Sequence, residues 1–420
     1  DIVISMAHPY RQFIKEVMER QFYPERHYTP GGLLIKPYDI TSWSLPLHRG
    51  LICYEMNSRN AEIEEDLALV KVPYSLKRTI NHSSLYAVLP SASNVSYKIA
   101  FTALRTNIKV ERTFSDFKKD DKIIPAGSFI VENTPAVRQI LDKCDIIPVF
   151  IDEKPEVALK ELKLPRIAMI ETWFRDEDAG WTRFLLDSYQ IPFTVLHPGE
   201  IIKIDLLNNF DVLLIPDNSK SVLMDGKNLG QNNNLIVSNY PPEYTKGFTT
   251  LGFNKILTFL NNGGLVVAWG ESTNLFSGSL NIESNNSDLE EFRLPFSNVK
   301  ETLTTAGMYA PGSLVRIELT KDHPLTFGMR HEANIFYQGR GVFTTSPPVS
   351  DTDRRVIGKF PEKNILQSGY IEEEELLANK SAMIWINKGE GQLVLMAFSP
   401  AFRASTQGSY KLIFNSVILK

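Results

Sequence analysis

Between Arg166 and Trp269 the chain alternates short apolar runs with amphipathic stretches, and this alternation constrains the fold more than any other feature of its 420 residues. Arg166–Ile170, Phe193–Leu196, Val212–Pro216 and Leu265–Trp269 read as buried-type strands. Asp178–Tyr189 carries Trp181, Phe184, Leu185 and Tyr189 on one side of a helix, and Leu251–Leu260 forms a second helix. Short apolar strands separated by helices predict a parallel, doubly wound α/β sheet. The last strand runs into a sharp turn, Gly264-Leu-Val-Val-Ala-Trp-Gly-Glu-Ser272. Ligands and nucleophiles gather outside the carboxyl ends of such strands. A nucleophile there is usually a Ser or Cys at the tip of the turn. Trp269, Gly270 and Glu271 stand there instead, so the domain is expected to be built like a catalytic one without its reactive residue.

Polar, Asn-rich Asn218–Gly247 reads as a long excursion from this sheet, and Asn274–Asp288 as a second polar loop. From Ser313 the chain turns β-rich, with strands expected at Leu314–Leu319, Ala333–Tyr337, Met383–Ile386 and Leu393–Phe398. A last helix, Tyr410–Ile418, follows Ser409 as N-cap.

Upstream, Ser84–Leu89, Val95–Arg105, Ile108–Phe114 and Phe129-Ile130-Val131 read as strand, helix, strand and strand, and a helix opens at Pro135. The strand–proline–helix pattern of Ser128–Lys143 also occurs at the start of the chain. There Ile2–Met6 precedes His8-Pro9 and a helix face of Ile14, Val17 and Met18, which suggests an internal repeat. On that reading the first copy lacks its front half, and Asp1 lies inside a larger parent protein. Phe22–Thr79, rich in Pro, Tyr and Gly, is expected to wrap the core in extended form, with Tyr38 and Trp43 as anchors. Pro155–Pro165 reads as a linker or a final helix. The expected divisions are therefore 1–80, 81–164 and 165–420.

A formal net charge of −4 and the lack of a Lys/Arg run argue against a nucleic-acid partner. The acidic run Glu372–Glu375 reads as a solvated face. No apolar run reaches the ~18 residues of a membrane helix, and no signal peptide is visible. Cys53 and Cys144 provide no disulfide framework and are expected as two unpaired, buried thiols, the alternative being a single bridge between them.

Two constellations invite a chemical reading. Glu171–Arg183 follows the first strand of the sheet and would set Trp173, Arg175, Asp176 and Glu177 beside Glu271 and Ser272 as a polar ligand pocket, with Arg403 closing it. The competing reading is a helix cap, with Asp176 or Asp178 starting the helix and Arg403 in a structural salt bridge. Ser272 lacks the Gly-x-Ser-x-Gly surroundings of a nucleophile. His197-Pro-Gly-Glu200, with His323 downstream, has the ligand types of a zinc carboxypeptidase site, but Pro198-Gly199 more naturally marks a turn.

Several phrases carry a resemblance. They include His8-Pro-Tyr-Arg-Gln-Phe-Ile-Lys-Glu, Lys36-Pro-Tyr-Asp-Ile-Thr-Ser-Trp-Ser-Leu-Pro-Leu, Pro125-Ala-Gly-Ser-Phe-Ile-Val and Gly180-Trp-Thr-Arg-Phe-Leu-Leu-Asp. Pro361-Glu-Lys-Asn-Ile-Leu-Gln-Ser-Gly and Phe402-Arg-Ala-Ser-Thr-Gln-Gly-Ser-Tyr-Lys-Leu-Ile-Phe-Asn belong with them. Together they resemble the region after the catalytic domain in large bacterial zinc-carboxypeptidase-like proteins of peptidase family M14. The resemblance implies a flavodoxin-like, class I glutamine amidotransferase-like domain preceded by a smaller α/β region. It implies zinc only in an upstream carboxypeptidase domain, which would be the partner, and none in this chain. It also implies an extracellular or periplasmic location and an accessory role toward peptide or carbohydrate. The amidotransferase Cys is missing at Gly270-Glu271. The alternatives are a hydrolase in its own right and a carbohydrate or small-molecule sensor.

Overall fold

The computed structural model describes residues 2–71, 83–173, 176–227, 240–283, 289–349 and 351–420. Its centre is one large mixed sheet. In chain order it contains β1 (Ile167–Ile170), β2 (Thr194–Leu196), β3 (Val212–Ile215), β4 (Leu265–Trp269), β5 (Ser313–Leu319), β6 (Glu332–Tyr337), β7 (Thr352–Lys359), β8 (Ser381–Lys388) and β9 (Gly391–Met396). The spatial order is β6-β5-β7-β8-β9-β4-β3-β1-β2. From β9 to β2 every pairing is parallel. The other half, β6 to β9, is antiparallel. The parallel part has the 2-1-3-4-5 order of flavodoxin-like sheets, with β9 as its fifth strand.

All five residues of β4 are buried, as is expected for a central parallel strand covered on both faces. Successive side chains point to opposite faces. Leu265, Val267 and Trp269 accordingly join one apolar core, and Val266 and Ala268 the other. Helix α1 (Glu177–Ser188) contributes Ala179, Leu185 and Leu186 to the first core, and helix α2 (Thr249–Asn261) contributes Ile256, Leu257 and Leu260 to the second. The last helix, α3 (Tyr410–Val417), is buried along its whole length.

The upstream unit is a five-stranded antiparallel sheet in the order Val149–Ile151, Tyr86–Leu89, Phe129–Glu132, Val110–Thr113, Leu159–Glu161. It carries the helices Asn94–Arg105 and Pro135–Asp142. Its inner face shares a core with the large sheet. A polar knot ties the two together. Tyr97 Oη and Arg112 Nη2 both donate to Asn415 Oδ1 on α3, at 2.7 and 2.6 Å, and Asn415 Nδ2 donates to the carbonyls of Leu325 and Phe327 at 3.0 and 2.9 Å.

The structure corrects several expectations. Residues 2–6 form no strand, although the helix after them is present at Arg11–Met18. Pro155–Pro165 contains the strand Leu159–Glu161, because its residues complete the edge of the small sheet against Val110–Thr113. Asn274–Asp288 contains Ser279–Glu283, half of a hairpin with Leu289–Arg293. The middle of the Asn218–Gly247 excursion, 228–239, lies outside the described residues. Of the predicted face of α1, Leu185 is buried, Trp181 packs on Phe402 at 4.9 Å between rings and Tyr189 on Phe414 at 4.6 Å, whereas Phe184 is 62% exposed, because the buried stripe also runs through Ala179, Thr182 and Leu186. Tyr38 is 93% exposed and anchors nothing, whereas Trp43 Nε1 donates to Glu16 at 3.1 Å. The wrapping segment is held instead by small hydroxyl residues. Thr41 Oγ1 donates to Gly312 O at 2.7 Å, and Ser42 Oγ donates to Ser368 Oγ at 2.7 Å. No disulfide joins Cys53 and Cys144, and neither is the fully buried thiol expected: Cys53 is exposed and Cys144 half-buried.

Candidate functional site in the crevice above the parallel strands

The strand order reverses between β1 and β3, and the crevice at this switch point is acidic. Asp217 follows β3, Glu271 follows β4, and Asp176 and Asp178 lie at the start of α1. Two cations face them. Arg340 Nε lies 3.5 Å from Asp217 Oδ2, and its Nη1 lies 3.5 Å from Glu271 Oε1. Lys300 Nζ donates to Glu271 Oε1 at 3.2 Å. Neither cation was singled out in the sequence, because each comes from a loop or helix far from the acids it meets.

The turn after β4 is shaped by a backbone conformation. Gly270 has φ of +63°, which only glycine adopts without penalty. Asp217 Oδ1 accepts a 2.7 Å hydrogen bond from the Glu271 backbone N–H. A Cβ on Gly270 would lie 2.3 Å from Asp217 Cγ. The tip of the turn is therefore filled by the Asp217 carboxylate, and a nucleophilic side chain at position 270 has no room. Ser272 is fully buried, and its hydroxyl donates to Ile215 O at 2.9 Å and Trp269 O at 2.7 Å, so it faces the turn's own backbone rather than the crevice.

Asp178 is buried beneath this layer. Its Oδ2 accepts from Trp269 Nε1 at 3.0 Å, and Ser399 Oγ bonds its Oδ1 at 2.7 Å. Burial, reinforced by the nearby Asp217 charge, pushes its carboxyl up to about 8. Burial likewise pushes Asp176 up to about 7, although its Oδ2 accepts from the backbone N–H and, at 2.9 Å, the hydroxyl of Thr172. Asp217 is raised by burial against the opposing pull of Arg340. Burial lowers Arg340, but the surrounding Asp217, Glu271 and Asp178 outweigh it, and its net shift is upward. Burial thus favours the protonated, hydrogen-bond-donating form of Asp176 and Asp178 in a site that also holds Glu271, Arg340 and Lys300. Such an arrangement can donate and accept hydrogen bonds to a polar ligand.

On the crevice flank Trp173, 51% exposed, stacks on the His197 ring at 3.9 Å between centroids and meets Tyr244 edge-on at 4.9 Å. His197 Nδ1 donates to the Glu171 carbonyl at 2.7 Å, which fixes the orientation of the ring. Glu177 is exposed on the first turn of α1. Arg175 lies outside the described residues. Arg403 is exposed, has φ of +47° and lies over the Phe402 ring, and among the described residues it makes no ion pair with the crevice acids.

The zinc alternative does not fit. Glu200 accepts from the His197 backbone N–H at 2.9 Å, so the motif is a cap of the turn, as Pro198-Gly199 suggested. His323 packs on Trp385 of β8, 5.6 Å between rings, whereas His197 follows β2. Those strands are five places apart in the sheet, roughly 24 Å. Among the described residues no group of three His, Cys, Asp or Glu is placed to hold a metal ion.

No family model matches the chain, and neither does any curated protein. Among solved structures it is similar to a ThuA-like protein from Bacteroides uniformis, at 10% identity over 60% of this chain and 89% of that one, with a TM-score of 0.33. A glutamine amidotransferase from Thermotoga maritima is similar at 11% identity over 60% of this chain and 98% of that one, with a TM-score of 0.33. A β-galactosidase from Bacillus circulans sp. alkalophilus is similar at 13% identity, with 60% of this chain matching 30% of that one and a TM-score of 0.34. At these values the likeness is a distant one of fold alone, and the carboxypeptidase resemblance rests on the sequence phrases.

Proposed function

We propose that this chain is a non-catalytic accessory and binding region of a larger zinc-carboxypeptidase-like protein acting outside the cytoplasm, with an amidotransferase-like domain that has exchanged its nucleophile for a recognition crevice. The observation that carries the non-catalytic reading is the Gly270 turn, where a Cβ would lie 2.3 Å from the Asp217 carboxyl carbon. The quoted phrases carry the link to the carboxypeptidase family. The zinc of that family belongs, on this reading, to an upstream domain that is the natural partner.

The test is zinc content by elemental analysis of untagged protein purified without chelators, with carboxypeptidase and glutaminase assays on the same sample. The expected result is no stoichiometric zinc and no hydrolysis. About one zinc per chain together with release of C-terminal residues would overturn the proposal.

One observation favours carbohydrate as the ligand class. Exposed Trp173, backed by His197 and flanked by Tyr244, presents a flat aromatic face beside the acids and bases of the crevice. Aromatic faces of this kind combine a large apolar area with polar edges. A thermal-shift screen with mono- and oligosaccharides, amino acids and short peptides should give a rise only with sugars, lost in Trp173→Ala. A shift that survives this substitution would remove the aromatic face from the argument.

A further inference from the structure

A second cavity, of about 590 Å³, opens at the other end of the sheet, where the loop between β5 and β6 meets the start of α3 and the segment after Leu45–Arg49. It shares no residue with the acidic crevice. Four cations line it: Arg49, Lys321, Arg330 and Lys411.

Lys411 is the unusual member. It is the second residue of α3 and only 9% exposed, yet no carboxylate lies within ion-pair distance of it among the described residues. Burial, with the neighbouring Arg330 charge, pushes its ammonium down to about 8. The N-terminal turn of a helix is also the end at which the backbone dipole disfavours a cation. A buried lysine beside an arginine at the positive end of a helix is thus opposed by three separate effects.

The acids and the histidine of the cavity do not relieve it. Glu332 faces Arg316, with 3.4 Å between the charged atoms. Asp116 accepts from the Ala126 backbone N–H at 2.7 Å. His331 directs Nδ1–H to the Leu319 carbonyl at 2.7 Å. Arg49 uses one nitrogen on Gln407, at 3.0 Å, and Arg330 has no ion-pair partner among the described residues.

We infer that this cavity is an anion-binding site for the phosphate or sulfate ester of a small organic molecule, with Lys411 at its floor and Arg330 and Arg49 closing over the ester. A tetrahedral oxyanion offers acceptors to a buried ammonium and to planar guanidinium forks at once. A volume near 590 Å³ leaves space for an attached group of about monosaccharide size. The inference is independent of the accessory role proposed above.

Isothermal titration of the whole chain with inorganic phosphate, inorganic sulfate and glucose 6-phosphate tests it, with sodium chloride at equal ionic strength as the control. Saturable binding is expected for at least one oxyanion and none for chloride. Lys411→Met should weaken that binding at least tenfold while folding normally, because it removes an opposed charge and keeps the volume. Arg330→Gln should weaken it several-fold. Tighter binding of phosphate than sulfate assigns a phosphate ester, and the reverse order a sulfate ester. No binding of any oxyanion below about 10 mM, or equal binding by Lys411→Met, would overturn the inference.

Discussion

Gly270→Ala tests the turn that defines the crevice. The substitution forces a non-glycine residue to φ of +63°, which costs about 1–2 kcal/mol. The new Cβ would lie 2.3 Å from both Cγ and Oδ1 of Asp217, so that carboxylate must move. Moving it breaks the 2.7 Å bond from the Glu271 backbone N–H, a charge-assisted bond contributing about 1.5–3 kcal/mol. The two effects together predict a loss of roughly 2.5–5 kcal/mol. Urea denaturation should show this as a lowered midpoint with an unchanged slope. The clash also predicts non-additivity. Asp217→Ala removes the atoms that the new Cβ would strike, so the double variant should be more stable than the sum of the single losses by about 1–2 kcal/mol. A single-variant loss below about 1 kcal/mol, or strict additivity in the pair, would refute the claim that Asp217 fills the tip of this turn.

The other predictions concern charge and the inter-unit knot. Asp178 and Asp176 have folded values of about 8 and about 7, both above the unfolded carboxylate range. The native state then holds more protons than the unfolded chain, so their contribution is fully present below about pH 4 and is lost as pH rises through 7 and 8. Asp178→Asn should therefore flatten the decline between about pH 5 and pH 8 relative to the parent protein, and parallel pH–stability curves would refute the shift. Arg340→Ala should cost about 1–2 kcal/mol, between the values for surface and buried pairs. It also leaves Asp217 without that cation, so the loss should shrink at low pH as the acid protonates, and a pH-independent loss would refute the pairing. Asn415→Ala removes the short acceptor of Tyr97 Oη and of the buried Arg112 Nη2, leaving them only the longer contacts to Phe327 O at 3.3 Å and Pro324 O at 3.5 Å, and chemical denaturation should show a loss of about 3 kcal/mol. A loss below about 1 kcal/mol would show that the knot does not couple the small sheet to α3.

The sequence by itself determined the local elements and the parallel core. Strands β1 to β4 and helices α1, α2 and α3 lie within a few residues of their expected bounds. An all-apolar run such as Leu265–Trp269 has few alternatives to a strand covered on both faces. That Gly270 and Glu271 rather than Ser or Cys stand at the turn after β4 was equally legible, because it is a matter of residue type at one turn. The Pro198-Gly199 turn was legible for the same reason. What the sequence left open was whatever depends on partners distant along the chain. Strand β7, Thr352–Lys359, carries three consecutive charged residues, Asp353-Arg354-Arg355, with no period-2 alternation, and becomes a strand through pairing with β8. The five-stranded sheet draws its edges from Val149–Ile151 and Leu159–Glu161, which carry little pattern of their own. The crevice joins Asp217 and Glu271 to Lys300 and Arg340, and no local motif announces that meeting. Lys411 reads in the sequence as an ordinary polar residue on a helix. Only the packing of α3 beneath the loop between β5 and β6 buries it and turns its charge toward a cavity. Short-range pattern sets backbone conformation, whereas burial and charge pairing are set by which distant segments the fold brings into contact.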